Sequence, residues 1–319
     1  IAFGFRALRD NTTGTNNIAI GPSALIVNTA RSHNQAFGYQ ALYTNNTGDK
    51  NVAIGSSALQ LNVSGSNNVA IGRRALYSNT SAIYNTAVGA NALYSATTGG
   101  GNTATGYQAL YSNTTSGDNQ AYGWNAQYSN TTGTRNVAIG NDSLYTNTTG
   151  GGNIAIGHDT LYSNATGIRN VAIGEEALKV STTSYNIAVG YRALYSNTTG
   201  PKCTAVGYAA LETNTTGNLN VAIGYAALNK NTTGGGNAAT GNEALENNTT
   251  GAHLVASGYK ALELNTTGNY NVAIGSNSLV YNTTGDENVA IGYEALFRNT
   301  TANANQAFGY RTLYSTTTS

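Results

Sequence analysis

Apolar and polar residues alternate in one short phrase that recurs along the whole chain. The consensus is N-V-A-I-G-x-x-A-L-Y-S-N-T-T-G-x-x, and its first glycine occurs nineteen times between Gly4 and Gly309. Seventeen of the eighteen intervals are seventeen residues long, and the one from Gly174 to Gly190 is sixteen. A fixed period indicates a repeat architecture. The missing residue is predicted in the turn before Asn186, where a deletion disturbs a strand least.

Each copy contains two runs typical of short strands, NVAIG and ALYSN, separated by turn residues. A strand of this length cannot bury its apolar face alone, but stacked identical coils give every strand a partner in register. We therefore predict an all-β fold, a parallel β-solenoid or β-roll of about nineteen 17-residue coils, as a single repetitive domain over residues 1–319. At roughly 4.8 Å per coil, the rod would be about 90 Å long.

Two positions of the repeat hardly vary. The alanine of VAI is alanine in all nineteen copies, and the leucine of ALY is leucine in eighteen, with Gln127 as the exception. A thin coil with two sheets has room for one small and one large side chain between them. We predict that these two columns form the core, represented by Ala138, Leu144, Ala155, Leu161, Ala172 and Leu178.

The residues on either side of the inward alanine are predicted to face outward, because side chains alternate along a strand. They are mostly valine or isoleucine and would form an exposed apolar stripe, represented by Val52, Ile54, Val137, Ile139, Ile154, Ile156, Val171 and Ile173. Such a stripe exceeds the apolar surface that a monomer usually exposes, which predicts that an identical copy covers it. The alternative is that the faces are inverted, with valine and isoleucine inside and alanine at a tight corner.

Composition and charge narrow the function further. Only 9% of the residues are charged and the net charge is +1, without a basic block, so nucleic acid and acidic membranes are not expected partners. No run of eighteen apolar residues and no signal peptide is visible. Methionine is absent and neither end carries a capping segment. We expect a piece of a longer repetitive chain, or rods that join end to end into a filament.

Residues capable of catalysis or metal binding do not converge in the sequence. His33, His158 and His253 fall in different coils, and Glu175 and Glu176 are adjacent carboxylates in one turn. Cys203 replaces an asparagine of the repeat and is interpreted as a structural position. Because catalysis requires unlike groups at one place, we predict no enzymatic activity, no metal and no cofactor.

Asparagine occupies the column before valine in sixteen of eighteen copies and the column before TT in sixteen of nineteen. Stacked asparagine side chains can bond amide to amide along a solenoid, and asparagine tolerates turn conformations. The columns are interpreted as structural, and the match of N-T-T to a glycosylation sequon carries little information here.

Two tyrosine columns have the character of a binding surface, one directly after the first glycine and one in ALY. Tyrosine rows can contact sugars or proteins, but they also stack on one another, and stacking is the favoured reading. The ALY column turns acidic at Glu212, Glu246 and Glu263. Several columns depart from the consensus together in one coil, which predicts a receptor patch of Tyr122, Trp124, Gln127 and Tyr128.

The phrases NVAIG, NNVAIG and NTAVG, each followed by xxAL, resemble the YadA-like head repeats of trimeric autotransporter adhesins. The resemblance implies a left-handed parallel β-roll with three chains packed side by side. The resemblance extends over every repeat, but within each repeat it covers only about half of the residues. The chain departs from the family pattern in having asparagine in place of the usual serine and an added NTT turn. Similar phrases occur in phage tail fibres and long bacterial surface proteins.

Three functions are consistent with this pattern. The first is a structural rod or filament at the cell surface or outside the cell, whose partners are copies of itself in a trimer or filament. The second is an adhesin or tail-fibre head that binds a host-surface glycan or protein through its side. The third and weakest is ice binding, because the paired threonines are adjacent in a turn and point in different directions.

Overall fold

The protein is all-β in a computed structural model that describes residues 1–315, with nineteen parallel strands and no helix among those residues. The predicted β-solenoid with a seventeen-residue repeat is thereby confirmed. The chain divides into two compact units, Ile1–Asp159 and Thr160–Ser319. In each unit successive coils stack with one strand per coil.

The first unit contains ten strands, which are β1 Ala2–Phe3, β2 Ile18–Ile20, β3 Gln35–Phe37, β4 Val52–Ile54, β5 Val69–Ile71, β6 Thr86–Val88, β7 Thr103–Thr105, β8 Gln120–Tyr122, β9 Val137–Ile139 and β10 Ile154–Ile156. The second contains nine, which are β11 Val171–Ile173, β12 Ile187–Val189, β13 Thr204–Val206, β14 Val221–Ile223, β15 Ala238–Thr240, β16 Val255–Ser257, β17 Val272–Ile274, β18 Val289–Ile291 and β19 Gln306–Phe308.

Neighbouring strands pair in a register that places alanine opposite alanine. Ala138 lies opposite Ala155 in the first unit. In the second unit Ala172 lies opposite Ala188 although their coil is one residue short. The shorter coil therefore keeps the register, because the missing residue falls in the turn between β11 and β12 rather than in a strand.

The prediction of a second strand at ALYSN is wrong. Within residues 1–315 each coil has a single strand of at most three residues, and the ALY segment is a turn in which the leucine lies in the left-handed region. Leu59, for example, has φ of 50°, and Ser57, two residues earlier, has φ of 58°. A conformation that is unfavourable for leucine persists because the next coil holds it: the Leu59 N–H donates to the carbonyl of Ala75 at 3.0 Å.

The core consists of the columns predicted to face inward, together with one more. The six representative alanines and leucines are fully buried, Ala138 and Leu144 among them. The alanine that precedes leucine, such as Ala58, is also fully buried. Because a turn rather than a second sheet closes the coil, two alanines and one leucine fill the interior instead of one of each.

Both asparagine columns form buried hydrogen-bond ladders. In the NTT column, Asn45 Nδ2 donates to Asn28 Oδ1 of the preceding coil at 3.1 Å and to the Gly48 carbonyl of its own turn at 2.7 Å. In the other column, the Asn51 N–H donates to Asn34 Oδ1 at 3.0 Å. These bonds satisfy buried amides along the stack. In the NTT column, these bonds use the side-chain Nδ2, which is the nitrogen to which a glycan would be attached.

The first glycine of the repeat is required by close contact between coils. Gly55 has φ of 133°, and a Cβ atom there would lie 2.6 Å from the carbonyl oxygen of Gly72 in the next coil. No amino acid other than glycine is compatible with both that backbone conformation and so small a separation between coils. The glycine column is therefore constant for a steric reason.

Candidate functional site

The exposed surface with the greatest regularity is the valine and isoleucine stripe on either side of the buried alanines. Ile54 is 39% exposed and Ile139 is 41% exposed, whereas Ala53 and Ala138 between the two columns are fully buried. The remaining members of the predicted stripe are half-buried or exposed, namely Val52, Val137, Ile154, Ile156, Val171 and Ile173. The inverted arrangement of the two faces is excluded by this burial.

The stripe is interrupted by polar side chains in two adjacent coils of the first unit. β7 presents Thr103 and Thr105, and β8 presents Gln120 and Tyr122. In the next coil Val137 and Ile139 restore the apolar pattern. The outward face of the first unit is therefore apolar except at β7 and β8, at Thr86 of β6 and at Gln35 of β3.

The tyrosines of the ALY column stack on one another, as the sequence predicts. Rings from Tyr77 through Tyr94, Tyr111 and Tyr128 to Tyr145 lie 5.0 to 5.2 Å apart, with interplanar angles of 4° to 9°. Burial within this row raises the pKa of Tyr111. Because each ring covers the face of the next, the row offers ring edges rather than faces to a ligand.

A second tyrosine row follows the first glycine in the other unit. Tyr191, Tyr208 and Tyr225 stack with centroid distances of 5.2 Å. These three side chains are more exposed than the ALY tyrosines, yet their ring faces are paired in the same way.

The predicted receptor patch is partly wrong. Tyr122 and Trp124 are exposed, but Tyr128 is a half-buried member of the stacked ALY row. Gln127 is fully buried, and its Nε2 donates to the carbonyl of Gln120 at 2.9 Å. It occupies the inward leucine position of the coil and cannot contact a receptor.

The patch also contains a residue that the sequence analysis did not assign to it. Tyr107, one coil before Trp124, packs edge-to-face against it, with ring centroids 5.6 Å apart and an interplanar angle of 70°. The repeat spacing places these two residues side by side. Only the structure shows that their rings are not parallel.

The acidic residues of the second unit are brought together around a lysine. Lys260 Nζ lies 3.1 Å from Glu243 and 3.0 Å from Glu263. Glu246 belongs to the same cluster, and burial, followed by the charge of Glu243, raises the pKa of its carboxyl. The lysine neutralises much of the charge that would attract a cation.

The other candidate chemical groups have local structural partners. Glu176 pairs with Lys179 at 2.7 Å and with Arg192 at 3.3 Å. A ring nitrogen of His158 and carboxylate oxygens of Asp142 and Asp159 lie within 4.8 Å of one another, and all three residues are on the surface of the first unit.

Cys203 is buried in the asparagine column, and burial raises the pKa of its thiol. Its N–H donates to Asn186 Oδ1 at 2.9 Å, so the backbone bond of the ladder survives the replacement.

In comparisons with known proteins, no family model and no curated protein matches the chain. Within the described residues, no helix has the length and apolar character needed to cross a membrane.

Proposed function

We propose that the protein is a structural component of a rod or filament at the cell surface, in which copies of the chain associate through the valine and isoleucine stripe. The observation that carries this proposal is the alternation around each strand alanine. Ala138 is fully buried, while Ile139 beside it is 41% exposed, and the same arrangement recurs coil after coil.

An identical copy is the partner best matched to such a surface. Apolar residues recur at the spacing of the coils, and a second copy presents the same spacing, so valine and isoleucine can meet at every step. Low charge and the absence of a basic block add no long-range repulsion between copies. The placement outside the cell rests on the resemblance to surface adhesin repeats.

The experiment compares two aspartate substitutions in one unit. Ile139→Asp places a charge in the stripe, whereas Thr132→Asp places the same charge on an exposed turn away from the stripe. We expect Ile139→Asp to lower the sedimenting mass with an unchanged circular dichroism spectrum, because an unpaired charge in an apolar interface is costly. Thr132→Asp should sediment like the unmodified protein. Equal masses for both variants and the unmodified chain would contradict the proposal.

A further inference from the structure

Trp124 differs from every stacked aromatic residue described above. It is 58% exposed and is the single tryptophan of the chain. Its neighbour Tyr107 is 43% exposed and meets it at 70°. In an edge-to-face pair, the ring that contributes its edge keeps both of its own faces clear of the partner. At least one of these two exposed rings therefore has no aromatic partner over either face, whereas rings inside the parallel tyrosine rows are covered on both faces by their neighbours.

Hydrogen-bonding side chains lie beside Trp124, both in its own coil and in the next coil. The exposed Asn141 lies in the next coil, and its Oδ1 accepts a hydrogen bond from the main-chain N–H of Trp124 at 3.3 Å. Beside it, Asn125 Nδ2 donates to Asp142 Oδ1 at 3.0 Å. Gln120 is exposed on the adjoining strand. Amide and carboxylate groups beside a clear aromatic face can hold hydroxyl groups while the ring packs on an apolar surface.

The surroundings also keep this place accessible. The apolar stripe is interrupted in β7 and β8, the two strands directly before Tyr107 and Trp124. A copy packed along the stripe would have least apolar contact at this point. The exposed rings of Trp124 and Tyr107 and their polar neighbours would then remain in contact with solvent in the assembly.

We infer that Trp124, Tyr107 and Tyr122 form the platform of a saccharide-binding site, with Asn141, Asp142 and Gln120 as hydrogen-bonding partners. The ligand class is a neutral oligosaccharide of β-linked hexopyranoses, because sugars with equatorial substituents present flat faces of C–H groups that pack on an aromatic ring. The carboxylates of Asp142 and nearby Asp159 disfavour anionic sugars. The inference does not depend on self-association through the stripe.

The single tryptophan allows a direct test. Tryptophan-selective fluorescence of the intact chain is titrated with cellohexaose and with chitohexaose, up to about 10 mM because protein–sugar contacts of this size are weak. We expect a saturable change in emission with at least one probe. Since Trp124 is the sole tryptophan, the change reports this site alone.

Calorimetry with matched variants locates the binding energy. Trp124→Ala should weaken binding by about tenfold or more, because loss of ring packing removes a contact of that size. Tyr208→Ala, in the stacked row of the other unit, should bind like the unmodified chain. Circular dichroism checks that each variant is folded. The inference is overturned if neither probe binds, if binding survives in folded Trp124→Ala, or if only a peptide or protein ligand engages the site.

Discussion

The side-chain oxygen of Asn79 is buried without a hydrogen-bond partner among residues 1–315, at the coil where Ala96 replaces the asparagine of the repeat. One coil earlier, the equivalent oxygen of Asn62 accepts a bond from Asn79 Nδ2 at 2.6 Å. In the coils before this break, each asparagine Nδ2 of the column bonds to the Oδ1 of the preceding coil. At the break the acceptor is buried and has no donor, which shows what one asparagine contributes to the stack.

Restoring the ladder should stabilise the protein. Ala96→Asn places an amide in a position that holds asparagine in most coils, and it supplies a donor for Asn79 Oδ1. We expect the free energy of unfolding to rise by about 1 to 2 kcal/mol, since an unsatisfied buried acceptor costs that amount. Denaturant unfolding followed by circular dichroism measures the change. The control Ala90→Asn, in an outward column that holds asparagine in other coils, should change stability by less than about 0.5 kcal/mol. A variant at Ala96 that is less stable than the parent would contradict this role of the ladder.

The glycine after the strand should tolerate no side chain. Gly55→Ala introduces a Cβ atom 2.7 Å from the carbonyl carbon of Gly72 at φ of 133°. We expect a loss of about 3 kcal/mol, because both the clash and the backbone conformation are unfavourable. Thermal unfolding measures it, and Ser56→Ala, at the exposed next residue, is the control. Equal melting temperatures for the two variants would mean that the coils can separate at this position without cost.

The acidic cluster predicts a specific pH dependence. Burial and the charges of Glu243 and Glu263 raise the pKa of Glu246 above its ordinary value of 4.5. A raised carboxyl pKa favours folding at low pH, and this contribution is lost as pH rises through the folded-state pKa. Glu246→Gln should therefore be more stable than the parent at neutral pH, and the difference should shrink as pH falls through the raised folded-state pKa and vanish below the ordinary value of about 4.5.

Glu175→Gln removes a charge outside that cluster and serves as the control. Denaturant midpoints across the pH range measure both variants. A difference in stability between Glu246→Gln and the parent that grows on acidification would contradict a raised pKa of Glu246.

Much of the fold could be predicted because each repeat position faces one environment nineteen times. The invariance of Ala138 and its equivalents indicated burial, and the period indicated stacking. The second strand was predicted wrongly because ALYSN contains residues typical of strands, whereas contacts with the next coil hold Leu59 and its equivalents in a left-handed turn. Local propensity does not contain that contact.

The candidate patch shows a similar limit. Departure from consensus correctly drew attention to Trp124, but it also selected Gln127, whose column is inward. Gln127 lies in the leucine column that the sequence predicts to face inward, and that prediction alone excludes it from the surface. The angle between Tyr107 and Trp124 could not be predicted, because ring orientation depends on packing in three dimensions rather than on spacing.

Association of copies through the valine and isoleucine stripe can be measured by sedimentation equilibrium over a range of protein concentrations. If the stripe joins copies, the measured masses are multiples of 32.9 kDa and increase with concentration. A single species of 32.9 kDa at every concentration would contradict it.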